Sequence, residues 1–242
     1  MPVSSPIEDY VAPLVAGKRI AARKFVFDKL ANTADAADVY RELLWPAMER
    51  IEKLYRADRI NAAAEHMATR INRAIADQVQ SHLPQTEPNG KRILIACAEG
   101  ESEELGAQMC ADLFEARGWD VYFVGGGVPN DEILSLAGQL RPELLLIFGT
   151  HPAGVPGVRR LIDMIREIGV NATMNIMVSG GVFNRAEGLW KEVNADLLAK
   201  TAHEAIPIAE SATPRPPEVK AVGAVKKRRR RRRPTLLTPA EA

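Results

Sequence analysis

Apolar residues between Ile7 and about Leu83 recur at steps of three and four. They run Tyr10, Val11, Leu14, Val15, then Ile20, Val26, Phe27, Leu30, then Val39, Leu43, Leu44, Met48, Ile51, Leu54 and Tyr55. That spacing marks one face of an α-helix, and no strand-like alternation interrupts it. The stripe breaks near Gly17-Lys18, at Asn32-Thr33-Ala34-Asp35 and near Arg56-Ala57-Asp58-Arg59. Thr33 suits a helix N-cap, since its hydroxyl can accept from the orphan amides that follow. Four short helices packed antiparallel bury these stripes most simply, giving a helical bundle over residues 5–83.

Pro84 to Gly90 reads as a linker by its turn chemistry, and beyond it the pattern changes. Short apolar runs at Arg92–Cys97, Val121–Val124, Leu144–Phe148 and Met174–Val178, with a weaker one at Asp196–Leu198, alternate with helical stretches. The helices are expected at about Glu103–Arg117, from an N-cap at Asn130 to Leu140, at Val155–Ile168 closed by Gly169, near Arg185–Lys191, and last up to Glu210. Near-continuous apolar strands between helices imply a parallel sheet covered on both faces. Residues 91–210 are therefore predicted as an α/β unit, a flavodoxin-like doubly wound sheet of five strands. Such sheets bind ligands at the carboxyl ends of strands one and three.

The net charge of +1 conceals an asymmetry. Residues 211–242 hold ten Lys and Arg against Glu218 and Glu241, which leaves 22 basic and 29 acidic residues in the body. This tail is rich in Pro, Ala and Val without periodicity and is expected to be disordered. It contains Lys226, Lys227, Arg228, Arg229, Arg230, Arg231, Arg232 and Arg233, a charge density able to displace counterions from nucleic-acid phosphates. No aromatic residues interleave, so base stacking is not suggested. An acidic protein, an anionic membrane surface or the acidic body itself are the competing partners. No apolar run is long enough to span a membrane. The N-terminus lacks signal-peptide features, and Cys97 and Cys110 lack metal-ligand spacing. The expectation is a cytoplasmic, reduced protein.

Three loops lie at the presumed ligand edge: Gly100 to Gly106, Gly149-Thr150-His151-Pro152-Ala153-Gly154, and Ser179-Gly180-Gly181. Small residues in all three allow close approach of an extended ligand to the backbone. Glu101, Glu103 and Glu104 in the first loop argue against bound phosphate, which prefers bare amides at a helix N-terminus; such glutamates also suit the positive end of a helix dipole. Cys97, His82 and His203 read as structural or surface residues. No catalytic triad, metal-ligand cluster or phosphate loop is present, so the chain reads as non-enzymatic.

With the bundle followed by this α/β unit, residues 5–208 resemble the cobalamin-binding module of methionine synthase, corrinoid proteins and light-responsive MerR-type regulators. That family's first loop reads Gly-Asp-x-His-x-x-Gly, matched here by Gly100, Glu101, Glu103 and Gly106 around Ser102. The resemblance implies a His that ligates cobalt from below, but Glu103 stands at that position. Gly149-Thr150-His151 replaces the family's Ser-x-Leu, and Gly180-Gly181 keeps the pair that lines the nucleotide tail. Tyr55, nine residues, then Glu65-His66 is similar to the Trp, nine residues, Glu-His that covers adenosylcobalamin in the light-responsive regulators.

Imidazole is a good neutral ligand for cobalt, whereas a carboxylate is a harder donor with weaker preference for it. His151, after the third strand, is the histidine placed to substitute as metal ligand; its plainer role is a loop residue against Pro152. The resemblance implies a sensor or transcription regulator that holds a cobalamin between bundle and α/β unit. It would change its oligomeric state, its regulatory protein contacts or the exposure of its tail. The alternative is a module that has lost cobalamin and serves as an interaction scaffold, or that binds haem through His151 or His66. An enzyme-associated corrinoid carrier ranks behind both, because a methyl-carrying protein is expected to keep the lower His. The winged-helix DNA-binding domain of the regulators has no counterpart in this sequence, which leaves the tail or a partner for any DNA contact.

Overall fold

A computed structural model describes residues 6–32 and 35–216. Helices α1 (Pro6–Val15) and α2 (Arg19–Ala31) form the first hairpin of the bundle. Thr33 lies outside the described residues, and Asp35 caps the next helix, its carboxylate accepting from the Ala37 amide at 2.8 Å. From there one continuous helical run comprises α3 (Ala36–Val39), a π-helical turn (Tyr40–Leu44) and α4 (Trp45–Arg56). The π turn has a local cause in Pro46, which has no amide for Glu42 and whose ring would crowd that carbonyl. Widening the turn so that Trp45 donates to Tyr40 relieves both problems. Asn61 caps α5 (Ala62–Gln80) by accepting from the Ala64 amide.

The α/β unit runs β1 (Arg92–Cys97), α6 (Leu105–Ala116), β2 (Asp120–Gly125), α7 (Asn130–Leu140) and β3 (Leu144–Phe148). After a 3-10 turn at Pro152–Gly154 come α8 (Val155–Ile168), β4 (Asn175–Ser179), α9 (Gly181–Arg185), α10 (Leu189–Glu192), β5 (Leu197–Ala199) and α11 (Ala202–Ser211). All strand pairs are parallel, in the order β2-β1-β3-β4-β5, the flavodoxin-like arrangement expected from the sequence.

Side chains alternate across the sheet. Leu94, Ala96, Leu145 and Ile147 pack under α7 and α8, while Ile93, Ile95, Cys97, Leu144, Leu146 and Phe148 face the other way. On that second side the core is continuous with the bundle, because Tyr10, Leu44 and Ile75 belong to the same apolar cluster as Phe114, Phe148 and Ala205. Segment 84–90 is stitched down: the Thr86 amide donates to the Ala116 carbonyl and the Asn89 amide to Gly118. Bundle and sheet thus share one core.

Several boundaries differ from expectation for identifiable reasons. Helix α6 starts at Leu105, not Glu103, because the Glu103 amide is given to the Glu101 carboxylate at 3.1 Å. Asn130 is the first residue of α7, not its cap; Pro129 holds the extended cap conformation, and the Asn130 side chain bonds Glu99 and the Gly157 carbonyl. The helix expected near Arg185–Lys191 is split into α9 and α10 around Gly188, which sits at φ +81°. Residues 211–216, expected to belong to a disordered tail, are held on the body. Ser211 ends α11, the Asn175 side chain donates to the Thr213 carbonyl, and the Arg215 amide donates to Thr173. The basic run Lys226–Arg233 lies outside the described residues. No described helix is long and apolar enough to cross a membrane.

Candidate functional site

The carboxyl ends of β1 and β3 face α4 and α5 across a cavity of about 470 Å3, a size typical of small-molecule sites. Helical spacing builds the bundle wall, with Glu52, Tyr55 and Arg56 on one face of α4 and Glu65, His66 and Thr69 on one face of α5. Ser102 and Glu103 from the first loop, with Thr150 and His151 from the second, form the opposite wall. Phe148 and Leu105 add apolar surface between them.

Beneath the second wall lies a buried carboxylate. The Glu101 side chain is 1 % exposed and gathers donors from both loops. It accepts from the Thr150 amide at 2.6 Å, the Thr150 hydroxyl at 2.9 Å and the Glu103 amide at 3.1 Å. His151 Nδ1 lies 3.2 Å from Glu101 Oε1 and 2.7 Å from Thr150 Oγ1. Burial by itself would raise the Glu101 carboxyl, but the Thr150 and Glu103 amides, the Thr150 hydroxyl and nearby His151 outweigh it and hold Glu101 below the usual carboxylate range. An ionised carboxylate only accepts, so the Nδ1 that approaches it carries the hydrogen. In the neutral ring the lone pair is then on Nε2, and the ring itself is 62 % exposed.

Glu103 differs from Glu101 in kind. Burial pushes its carboxyl above the usual range, and the charge of Glu65 across the cavity adds to the push. Glu65 accepts from the Thr69 hydroxyl at 3.1 Å and lies 3.8 Å from His66 Nε2. At the mouth, Arg185 ion-pairs with Glu52 of α4 and donates to the Thr150 carbonyl at 2.6 Å. One side chain therefore ties the bundle to the second loop.

The structure brings Tyr55, Glu65, His66, Ser102, Glu103, Thr150 and His151 onto this one cavity, with Glu101 directly behind. The loop glycines and Ser179 do not line the cavity. Gly106 packs on the Phe148 ring, where an added Cβ would lie 2.2 Å from Cζ. Gly180, at φ +102°, presses on the backbone of Gly149, while Gly181 lies beside Arg185 and Glu52. Gly100 turns the chain at φ +79°. Ser179 is fully buried, its hydroxyl without a hydrogen-bond partner among the described residues. Sequence reasoning missed Glu52, Thr69, Arg185 and Phe148. The first two had a signal: Glu52 is three residues before Tyr55 and Thr69 four after Glu65, each on the same helical face. Cys97 is buried, and its thiol is pushed up to about 12, mainly by burial. His82 and His203 are exposed, away from the cavity.

Residues 91–209 match a family model described as "B12 binding domain", and residues 6–80 match a second model with the same description. Among curated proteins the chain is similar to dimethylamine corrinoid protein 1 of Methanosarcina acetivorans, 20% identical over 182 residues, covering 74% of this chain and 84% of that protein. It is likewise similar to monomethylamine corrinoid protein 1 of the same organism, 23% identical over 179 residues, covering 71% and 81%. The solved structure of the Methanosarcina barkeri monomethylamine corrinoid protein superposes with a TM-score of 0.75 at 19% identity, over 84% of this chain and 96% of that one. At that identity the match speaks for the fold.

Proposed function

This chain belongs to the B12 binding domain family over both its units, and we propose that it holds a corrinoid in the cavity between bundle and sheet. The residues present fit such a group. The cavity is large and partly apolar, with one imidazole on each wall, His66 from α5 and His151 from the second loop. A bound corrinoid supplies cobalt, which takes up and releases a ligand at one face of its ring. The chain's own residues supply the enclosure. Tyr55 and His66 cover one side, Glu101 fixes the two loops on the other, and the Arg185–Glu52 pair holds the bundle over the mouth and limits water entry. Haem finds no support among the relatives.

The role we propose is that of a corrinoid carrier that is not itself an enzyme and presents its cofactor to a separate catalytic protein. Relatives named as methylamine corrinoid proteins support this reading, which reverses the order expected from sequence. The carrying observation is the cavity, walled by the bundle on one side and by both sheet-edge loops on the other. Its test is to mix the full chain with hydroxocobalamin, remove free cofactor and record the visible spectrum. Equimolar retained corrinoid is expected; a colourless protein would overturn the proposal.

A second reading, a light- or ligand-responsive regulator, draws on one observation. Tyr55, Glu65 and His66 do meet on the bundle wall, as the resemblance to the light-responsive regulators implies. A change of oligomeric state when the adenosylcobalamin-loaded chain is moved from dark to green light would favour it. Unchanged elution would favour the carrier.

A further inference from the structure

A metal-binding histidine needs one ring nitrogen free and the other held, because the second hydrogen bond fixes both tautomer and ring direction. We infer that His151, positioned by Glu101, is the nitrogen donor to the cobalt of a corrinoid bound in the cavity, in place of a ligand from position 103. This rests on the corrinoid-binding reading above and goes beyond it by assigning the ligand and its positioning residue.

Three observations carry the inference. His151 lines the cavity, and its Nδ1 is engaged by Glu101 and Thr150. Nε2 makes no hydrogen bond among the described residues, so its lone pair is available to a metal. Glu101 is no casual neighbour: its buried carboxylate also binds the Thr150 amide and hydroxyl, so the residue preceding His151 is fixed by the same group. The ring and its backbone are set together. Such a carboxylate–imidazole pair raises the basicity of the free nitrogen.

The competing donors are poorer. Glu103 would present a carboxylate oxygen, a harder donor than imidazole, and Glu65 faces it across the cavity. His66 is on the bundle wall, with its Nε2 turned to Glu65 at 3.8 Å and no carboxylate at Nδ1 among its hydrogen bonds. In this chain the carboxylate of Glu101 holds a histidine of the second loop, His151, and not the side chain at position 103.

The test is the electron spin resonance of the full chain loaded with unlabelled cob(II)alamin. A cobalt-bound histidine nitrogen splits each cobalt line into three. Growing the protein on 15N-histidine should change those triplets to doublets, which excludes the cofactor's own base as the donor. His151→Ala should abolish the splitting from protein nitrogen while the corrinoid remains bound, and free imidazole should restore a nitrogen triplet that no longer responds to 15N-labelling of the protein. Glu101→Gln should reduce the nitrogen-coupled fraction, as expected of a positioning residue; full retention in that variant would overturn the role of Glu101. Triplets that persist in 15N-labelled protein, loss of splitting in His66→Ala but not in His151→Ala, or no nitrogen splitting at all would each overturn the assignment of His151. Failure of the unaltered chain to retain any corrinoid would overturn the binding proposal itself. Circular dichroism of His151→Ala and Glu101→Gln separates loss of the ligand from loss of fold.

Discussion

Tyr40 places its phenol oxygen 2.9 Å from Asp112 Oδ2, joining the π turn of the bundle to α6 of the α/β unit. The same hydroxyl is 3.1 Å from the Ala76 carbonyl on α5, so three elements meet at one buried point. Burial, and more weakly the negative charges of Asp77 and Glu115, push Asp112 up to about 6 against the opposing Tyr40 hydrogen bond. Its folded value thus exceeds the unfolded value of about 3.9. The stability it contributes is fully present below the unfolded value and is lost as pH rises through the folded one. Asp112→Asn should remove a pH dependence on the order of 2–3 kcal/mol between about pH 4 and 7. Denaturant titrations of both proteins across that range check it; parallel curves would contradict it.

Glu103→Gln should stabilise the protein at neutral pH. Its carboxyl is raised by burial and by Glu65, so ionisation costs the folded state as pH rises. The melting temperature of the variant should exceed that of the unaltered chain at pH 7.5. The gap should close as the pH approaches about 4, where unfolded glutamate takes up its proton.

Gly106→Ala should destabilise by about 1–3 kcal/mol, the usual cost of forcing extra atoms into a packed core. The new Cβ would meet the buried Phe148 ring at 2.2 Å. Adding Phe148→Leu should recover part of the loss, since the obstacle is the ring edge. Melting of Gly106→Ala at the temperature of the unaltered chain would show that the ring yields without cost.

The Arg185–Glu52 pair is about one-third exposed on each side, so its direct worth is modest. A double-mutant cycle with Arg185→Ala and Glu52→Gln should give a coupling of about 0.5–1 kcal/mol. The coupling should shrink at high salt. The single variants should also release bound hydroxocobalamin faster than the unaltered chain, because they loosen the bundle at the mouth.

Periodicity and turn chemistry made most of the architecture legible. Strands Arg92–Cys97 and Leu144–Phe148 were delimited by apolar runs between polar flanks, and Gly169 ends α8 in the left-handed conformation that favours glycine. The π turn was illegible because a one-residue widening leaves the apolar stripe almost unchanged, with Pro46 its only trace. The candidate site was legible as three loops at one sheet edge. Its wiring was not: the sequence singles out His151 as a substitute ligand, but its bond to Glu101 spans 50 residues and leaves no local trace. Arg185 carried no signal either, since its partner Glu52 lies 133 residues away.

The core shared by the two units bears on how the chain is made. The bundle's inner surface is closed by α6 and the sheet edge, which follow it in sequence and are synthesised later. Until residues 91–148 emerge, the bundle lacks first Asp112 for Tyr40 and then Phe148 for Trp45, whose ring it meets edge-on at 6.4 Å. The helices thus leave the ribosome with an apolar flank awaiting its cover, the kind of transient exposure that chaperones screen. A chain whose first 90 residues have cleared the ribosome before the sheet is made would carry that uncovered flank in the open.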